Sequence, residues 1–317
     1  MSGRITNGQA ALLLTALVVA ISLHKFWLDA YNNYRIFAGS FDVLAAHQNL
    51  YAPHPERYAD LFKYSPTFAL AMAPFAWQPE VTGLVCWNLL NALALFAALR
   101  ALWPQGWQAR LALAIVVLEL VISMQSSQSN ALVAALMVAA FAALERRRPW
   151  TAGAFIAGGL FLKVYGAAVG CLAILYRWRG RAIGATAVWL VFFALAPLVV
   201  LTVPELEQQY RAWLGVRGTF VTERNASIMR IVAAFGNPYL GPVVVQALGA
   251  AVFVLPFARV KEWSSPRFRL DLLCSLLIAI VIFNISAEPP TYVVAVTGGA
   301  IWYAGRRLQT IRLTSEV

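Results

Sequence analysis

One lysine, Lys163, sits at the centre of "TAGAFIAGGLFLKVYGAAVGCLAILY" (151–176), a stretch that is otherwise almost entirely apolar or small. A cation at the middle of a single membrane helix costs roughly 3 kcal/mol. The same ammonium, where water is excluded, stabilises negative charge that develops on a phosphate. Around it the chain offers carboxylates able to take a proton, Asp29, Asp42, Asp60 and Glu288, and two further cations, Arg224 and Arg230. Amides able to hold hydroxyl groups are Asn33, Gln128, Asn130 and Asn225, with Tyr64 in "KYSP" beside them. Glu119 is a carboxylate inside an apolar run and a functional candidate on that ground. The three histidines do not cluster, and no G-x-x-x-x-G-K-[ST], G-x-S-x-G, H-E-x-x-H or G-x-G-x-x-G occurs. The inventory fits general-base chemistry on a lipid-delivered substrate, or a transport site.

Each residue also has a purely structural reading. Asp29 fits the lipid headgroup boundary beside Lys25, Asp42 the wet face of an amphipathic helix, and Asp60 a local ion pair with Lys63. Gln128 and Asn130 fit caps for a helix beginning near Ala131, and Glu288, before Pro289 and Pro290, fits a helix N-terminus. Glu119 fits a side chain that snorkels outward.

These residues need a scaffold, and composition says which. The chain of 317 residues is 61% hydrophobic and 12% charged, with apolar runs recurring from end to end, so it is an all-α polytopic membrane protein. Expected spans are 10–28, 79–100, 110–124, 130–144, the segment 151–176, 182–202, 240–258, 270–286 and 290–304. Cys86, Cys171 and Cys274 lie in apolar runs without C-x-x-C spacing, which suggests neither a disulfide framework nor zinc. The net charge of +11 comes from basic residues in short loops between spans, so no nucleic-acid partner is expected.

Counting those basic residues decides how 151–176 runs. A single crossing puts Arg177, Arg179, Arg181, Arg259, Lys261, Arg267, Arg269, Arg306, Arg307 and Arg312 outside, and gains only Arg211, Arg217, Arg224 and Arg230 inside. A hairpin broken near Lys163, two short helices or a re-entrant pair, returns all ten to the cytoplasmic side. Two α-helical arms of that length reach roughly 18–20 Å, short of the ~30 Å hydrocarbon core, so the turn is expected in a polar depression open to the outer face. Gly158, Gly159, Gly166 and Gly170 are expected to let the arms pack closely. Both termini are then cytoplasmic, and the two long polar connections, 29–78 with interfacial helices and 203–238, are external. The whole of 1–317 reads as one domain of about ten membrane helices.

Six pieces in order, "NYRIF…FDVLAAHQNLYAP", "FKYSPTFALAMAPFAWQP", "CWNLLNALAL", "QSSQSNALVAAL", "AGGLFLKVYG" and "RNASIMR", resemble glycosyltransferases of the GT-C fold. The resemblance is nearer still to glycosyltransferase family 87, the polyprenyl-phosphate-mannose-dependent α-mannosyltransferases. It implies an inner-membrane enzyme with an external, periplasmic active site. Such an enzyme moves a hexose, mannose by the family's habit, from a polyprenyl-phosphate sugar to an acceptor. The transfer is inverting, uses one aspartate as base, and involves no bound metal or cofactor beyond the lipid-linked donor. The family's aspartate lies about eighteen residues before the tyrosine of "NLY", and here that position is Asn33, an amide. The base is therefore expected among Asp29, Asp42, Asp60 and Glu288, the donor phosphate on Lys163 with Arg230 or Arg224, and the substrate on Asn33, Tyr64, Gln128, Asn130 and Asn225. A transporter or flippase of a lipid-linked sugar, and a non-catalytic relative, stay open as alternatives.

Overall fold

A computed structural model gives the fold and describes residues 5–104, 106–216, 228, 231–232, 242–284 and 287–314. The described residues are helical or irregular, with no strand among them. The helices are α1 (Asn7–Trp27), α2 (Asn32–Ala45), α3 (Pro66–Ala71), α4 (Ala73–Ala76), α5 (Glu80–Leu102), α6 (Gln108–Gln125), α7 (Asn130–Glu145), α8 (Pro149–Leu162), α9 (Arg179–Leu195), α10 (Val203–Val216), α11 (Pro242–Val254), α12 (Pro266–Ile282) and α13 (Tyr292–Thr314). A 310 helix, Val164–Leu175, follows α8. The apolar faces of α1 and α9 stay exposed, at Leu12, Leu13, Val188, Val191 and Phe192 among others, as lipid-facing surfaces do. The chain is an integral membrane protein.

Hydrogen bonds sort the helix ends into two groups. At one end Arg110 donates to Asn7 (2.8 Å), Arg146 to the Ala101 carbonyl, and Arg269 to Glu145 (2.6 and 2.9 Å). At the other end Trp87 donates to the Ser127 carbonyl (2.9 Å), Asn33 to that of Ser126 (2.8 Å), and Ser65 to that of Phe161 (2.5 Å). Among the described residues four helices, α1, α5, α6 and the run 179–199, are long and apolar enough to cross a membrane, and 130–145, 149–162, 164–175 and 243–258 are shorter apolar helices.

The segment 151–176 is a hairpin. α8 stops at Leu162, Lys163 takes extended backbone (φ −150°, ψ 128°), and the 310 arm returns. At the base Tyr176 donates to Glu145 (2.5 Å), the residue that ends α7 just before the hairpin begins. The return arm exceeds the α-helical expectation for a physical reason: twelve residues at about 2.0 Å rise reach ~24 Å, against ~18 Å in α geometry.

The arms touch backbone to backbone at one glycine pair. A Cβ on Gly166 would stand 2.6 Å from the Gly159 carbonyl oxygen, and one on Gly159 2.8 Å from that of Gly166. Gly170 faces Ile156, whereas Gly158, expected to help, has no neighbour nearer than 4.0 Å. Gly166→Ala should therefore destabilise the protein by about 1–3 kcal/mol through forced separation of the arms. Gly158→Ala should be neutral or stabilising by up to about 1 kcal/mol. Thermal unfolding of the two variants in one detergent checks the contrast; equal midpoints would remove the close crossing from the account.

The two polar connections pack together. Ile36, Phe37, Phe41 and Leu44 are buried along α2 as their spacing predicts, and "SPTFALAMAPFAW" forms α3 and α4, each with proline in its first turn. The second connection contributes α10, which docks on the first: Gln209 accepts from Leu50 N (3.1 Å) and donates to the Gln48 carbonyl (2.7 Å). Trp213 donates to the Lys63 carbonyl (3.3 Å).

Candidate active site

The turn after α6 is built first. Ser127 has a left-handed backbone (φ 49°), its N–H reaching Met124 O (3.0 Å) and that of Gln128 reaching Ser123 O (3.2 Å). This is the Schellman ending of a helix, with serine where glycine is usual. The left-handed residue costs roughly 1 kcal/mol, and the bonds from Trp87 on α5 and Asn33 on α2 hold the turn in place. The turn presents Gln128 and Asn130.

Lys163 meets them from the hairpin. Its Nζ donates to Asn130 Oδ1 (2.7 Å) and Gln128 Oε1 (3.2 Å), and Tyr165 Oη donates to the same Asn130 oxygen (2.9 Å). The N-cap position of α7 is Ser129, so neither amide is the cap, and Asn130 is buried. The Tyr64 ring lies 5.6 Å from Nζ, within cation–π range. Phe37, Phe68 and Trp87 fix that ring: Tyr64 packs on Phe37 and Phe68 at 4.9 and 4.7 Å between centroids, and Phe37 on Trp87 at 5.7 Å. Ser65, which caps α3 and binds the Phe161 carbonyl, anchors the backbone next to Tyr64 on the end of α8.

The candidate carboxylates separate clearly. Glu288 lies before Pro289 at the start of the turn leading into α13, its backbone carbonyl accepting from Thr291 N (2.8 Å) and its N–H donating to Thr291 Oγ1 (3.4 Å); it is partly buried, and the turn it opens packs on α6 and α7 beside the 126–130 turn. Asp29, Asp42 and Asp60 have side chains 72, 51 and 57% exposed, each in an ion pair: with Arg35 (2.6 Å), Arg57 (3.3 Å) and Lys63 (3.6 Å). Asp29 does not pair with Lys25 but occupies the left-handed position (φ 53°) of α1's own Schellman ending, with Ala30 N on Lys25 O (3.0 Å) and Asp29 N on Phe26 O (3.1 Å). Asp42 and Arg57 line a pocket of about 250 Å³ with Tyr34, Arg35 and Glu80, on a different face of α2 from Phe37.

Asn33 is tied to the site through its bond to the Ser126 carbonyl. A carboxylate there would set negative charge against that carbonyl oxygen, so this turn fits the amide. Arg224, Arg230 and Asn225 lie outside the described residues. Glu119 keeps one buried carboxylate oxygen without a hydrogen-bond partner among the described residues. Tyr165 escaped the sequence reading; its signal is its place two residues past the lysine that breaks the hairpin. Among the described residues no three of His, Cys, Asp and Glu gather at metal-binding distance.

The cluster therefore joins one ammonium, two amides and two phenols at one end of a membrane bundle, with Glu288 opening a turn that packs on the same end. Such a set can hold an anionic group on the ammonium and the donors beside it, with a carboxylate nearby to accept a proton.

Known proteins place this architecture. The crystal structure of ArnT from Cupriavidus metallidurans bound to undecaprenyl phosphate superposes with a TM-score of 0.54 at 14% identity, over 92% of this chain and 59% of ArnT. The chain thus spans about three-fifths of that relative's length, and the likeness is one of fold. No curated protein matches significantly in sequence. The family model of glycosyltransferase family 87 matches residues 62–283, from the residue before Lys63 and Tyr64 through the 126–130 turn and the whole hairpin. The chain belongs to glycosyltransferase family 87 and has the all-helical GT-C membrane fold.

Proposed function

We propose that the protein transfers a hexose, mannose in the family's manner, from a polyprenyl-phosphate donor to an acceptor. The observation that carries this reading is the Lys163 ammonium, held by Asn130 and Gln128 at the break of the hairpin. The acceptor oxygen attacks the anomeric carbon on the face opposite the phosphate, the carbon–oxygen bond to phosphate breaks, and Glu288 takes the acceptor's proton. Lys163 neutralises the charge left on the phosphate, assisted by the Tyr165 phenol. Asn33, Tyr64, Gln128 and Asn130 line the sugar and phosphate path, and no metal is required. ArnT's binding of undecaprenyl phosphate supports a lipid-phosphate donor on this fold.

The basic residues gathered at the Glu145 end favour a cytoplasmic position for that end and both termini, with the Lys163 end on the periplasmic side of the inner membrane. The whole chain then acts as one domain.

The test is incubation of purified protein with labelled polyprenyl-phosphate-mannose and a membrane lipid extract, with and without chelator. Chelator-insensitive transfer of label to an acceptor is the expected result. Passage of intact donor across a liposome membrane without transfer would favour the flippase reading instead.

A further inference from the structure

At the bundle end opposite Lys163, the end of α5, the end of α7 and the start of α8 enclose a groove of about 340 Å³. Its floor is apolar and shallow-sided, made by residues such as Ala94, Ala98, Ala139 and Phe155. At its mouth stand Arg146, Arg148 and Thr151. The local charge is unbalanced. Glu145, the neighbouring acid, is taken up by Arg269 and Tyr176. Arg146 spends one N–H on the Ala101 carbonyl, and the Arg148 guanidinium has no partner among the described residues. α8 starts at the same mouth, with no side-chain cap and no acid in its first turn, so its N-terminal N–H groups add to the positive field.

A cleft that is cationic at its rim and hydrocarbon-like below complements an amphiphile with an anionic head. We propose that this groove binds an anionic glycerophospholipid, its phosphate on Arg146 and Arg148 and one acyl chain along the alanine floor. A zwitterionic lipid would bring its own ammonium against the arginines, and free phosphate would leave the apolar floor unused. α8 runs from this groove to Lys163, so one helix joins the lipid site to the catalytic cluster.

Native mass spectrometry of the purified protein in neutral detergent, with phosphatidylglycerol or phosphatidylcholine added, tests the assignment. One phosphatidylglycerol should be retained and phosphatidylcholine should not. An R146Q/R148Q variant, altered at exposed positions, should lose about tenfold or more in phosphatidylglycerol affinity. Ala97→Phe fills the groove from an exposed position and leaves the arginines; it should weaken binding similarly at an unchanged melting temperature. Equal retention of the two lipids, unchanged affinity in the arginine variant, or full displacement by inorganic phosphate would each overturn the proposal.

Discussion

Replacing Lys163 by methionine should lower turnover by roughly 10²–10³-fold while the protein keeps its fold. Methionine retains a long flexible apolar stem and removes only the charge. The partners of the ammonium are the neutral oxygens of Asn130 and Gln128, and Asn130 keeps its bond from Tyr165. The structural loss is thus one or two hydrogen bonds to a charged group, about 1.5–3 kcal/mol each at most. The catalytic loss is of another kind, because the leaving phosphate would lose the only cation that the described site places beside it. Lys163→Arg keeps the charge at a different shape and should fall between. Measured as kcat in detergent alongside a melting curve, wild-type turnover in a folded Lys163→Met variant would leave the lysine merely the residue that breaks the hairpin.

That hairpin was legible in the sequence because charge and length point the same way. A central lysine and ten basic residues after it make a single crossing costly, and Tyr176 returns to Glu145 as the count demands. What the sequence concealed has physical causes. Four helices end in left-handed residues at Asp29, His47, Ser127 and Arg147, none of them glycine, so the usual marker of a helix end is missing. The arms meet backbone to backbone at Gly159 and Gly166, a pair that glycine positions alone did not distinguish from Gly158. Topology put Lys163, Gln128, Asn130 and Tyr64 on one external face in the sequence, but their contacts appear only in the fold. Ranking the carboxylates needed tertiary contacts, because the ion pairs that occupy Asp29 and Asp42 come from Arg35 and Arg57 on other turns of the first connection.

Glu288→Gln is the substitution that should separate those carboxylates, with a loss of about 10²–10⁴-fold in turnover against small effects elsewhere. The Thr291 N–H bonds the Glu288 backbone carbonyl (2.8 Å) and the Glu288 N–H bonds Thr291 Oγ1 (3.4 Å), both unaffected by the substitution, so the start of α13 survives and only the base is lost. Asp29→Asn removes one exposed ion pair, worth about 0–1 kcal/mol, and asparagine tolerates the left-handed backbone that closes α1. Asp42→Asn and Asp60→Asn likewise break exposed pairs. All three aspartate variants should keep activity within about fivefold, the ceiling set by such a pair. The reverse pattern, an inert Asp29→Asn beside an active Glu288→Gln, would return the base to the first connection. Glu288 would then serve only the turn that opens α13. Between these outcomes the physical difference is what occupies the carboxylate: Asp29 is spent on Arg35 in solvent, whereas Glu288 is partly buried and has no ion pair among the described residues, which leaves it free to take a proton.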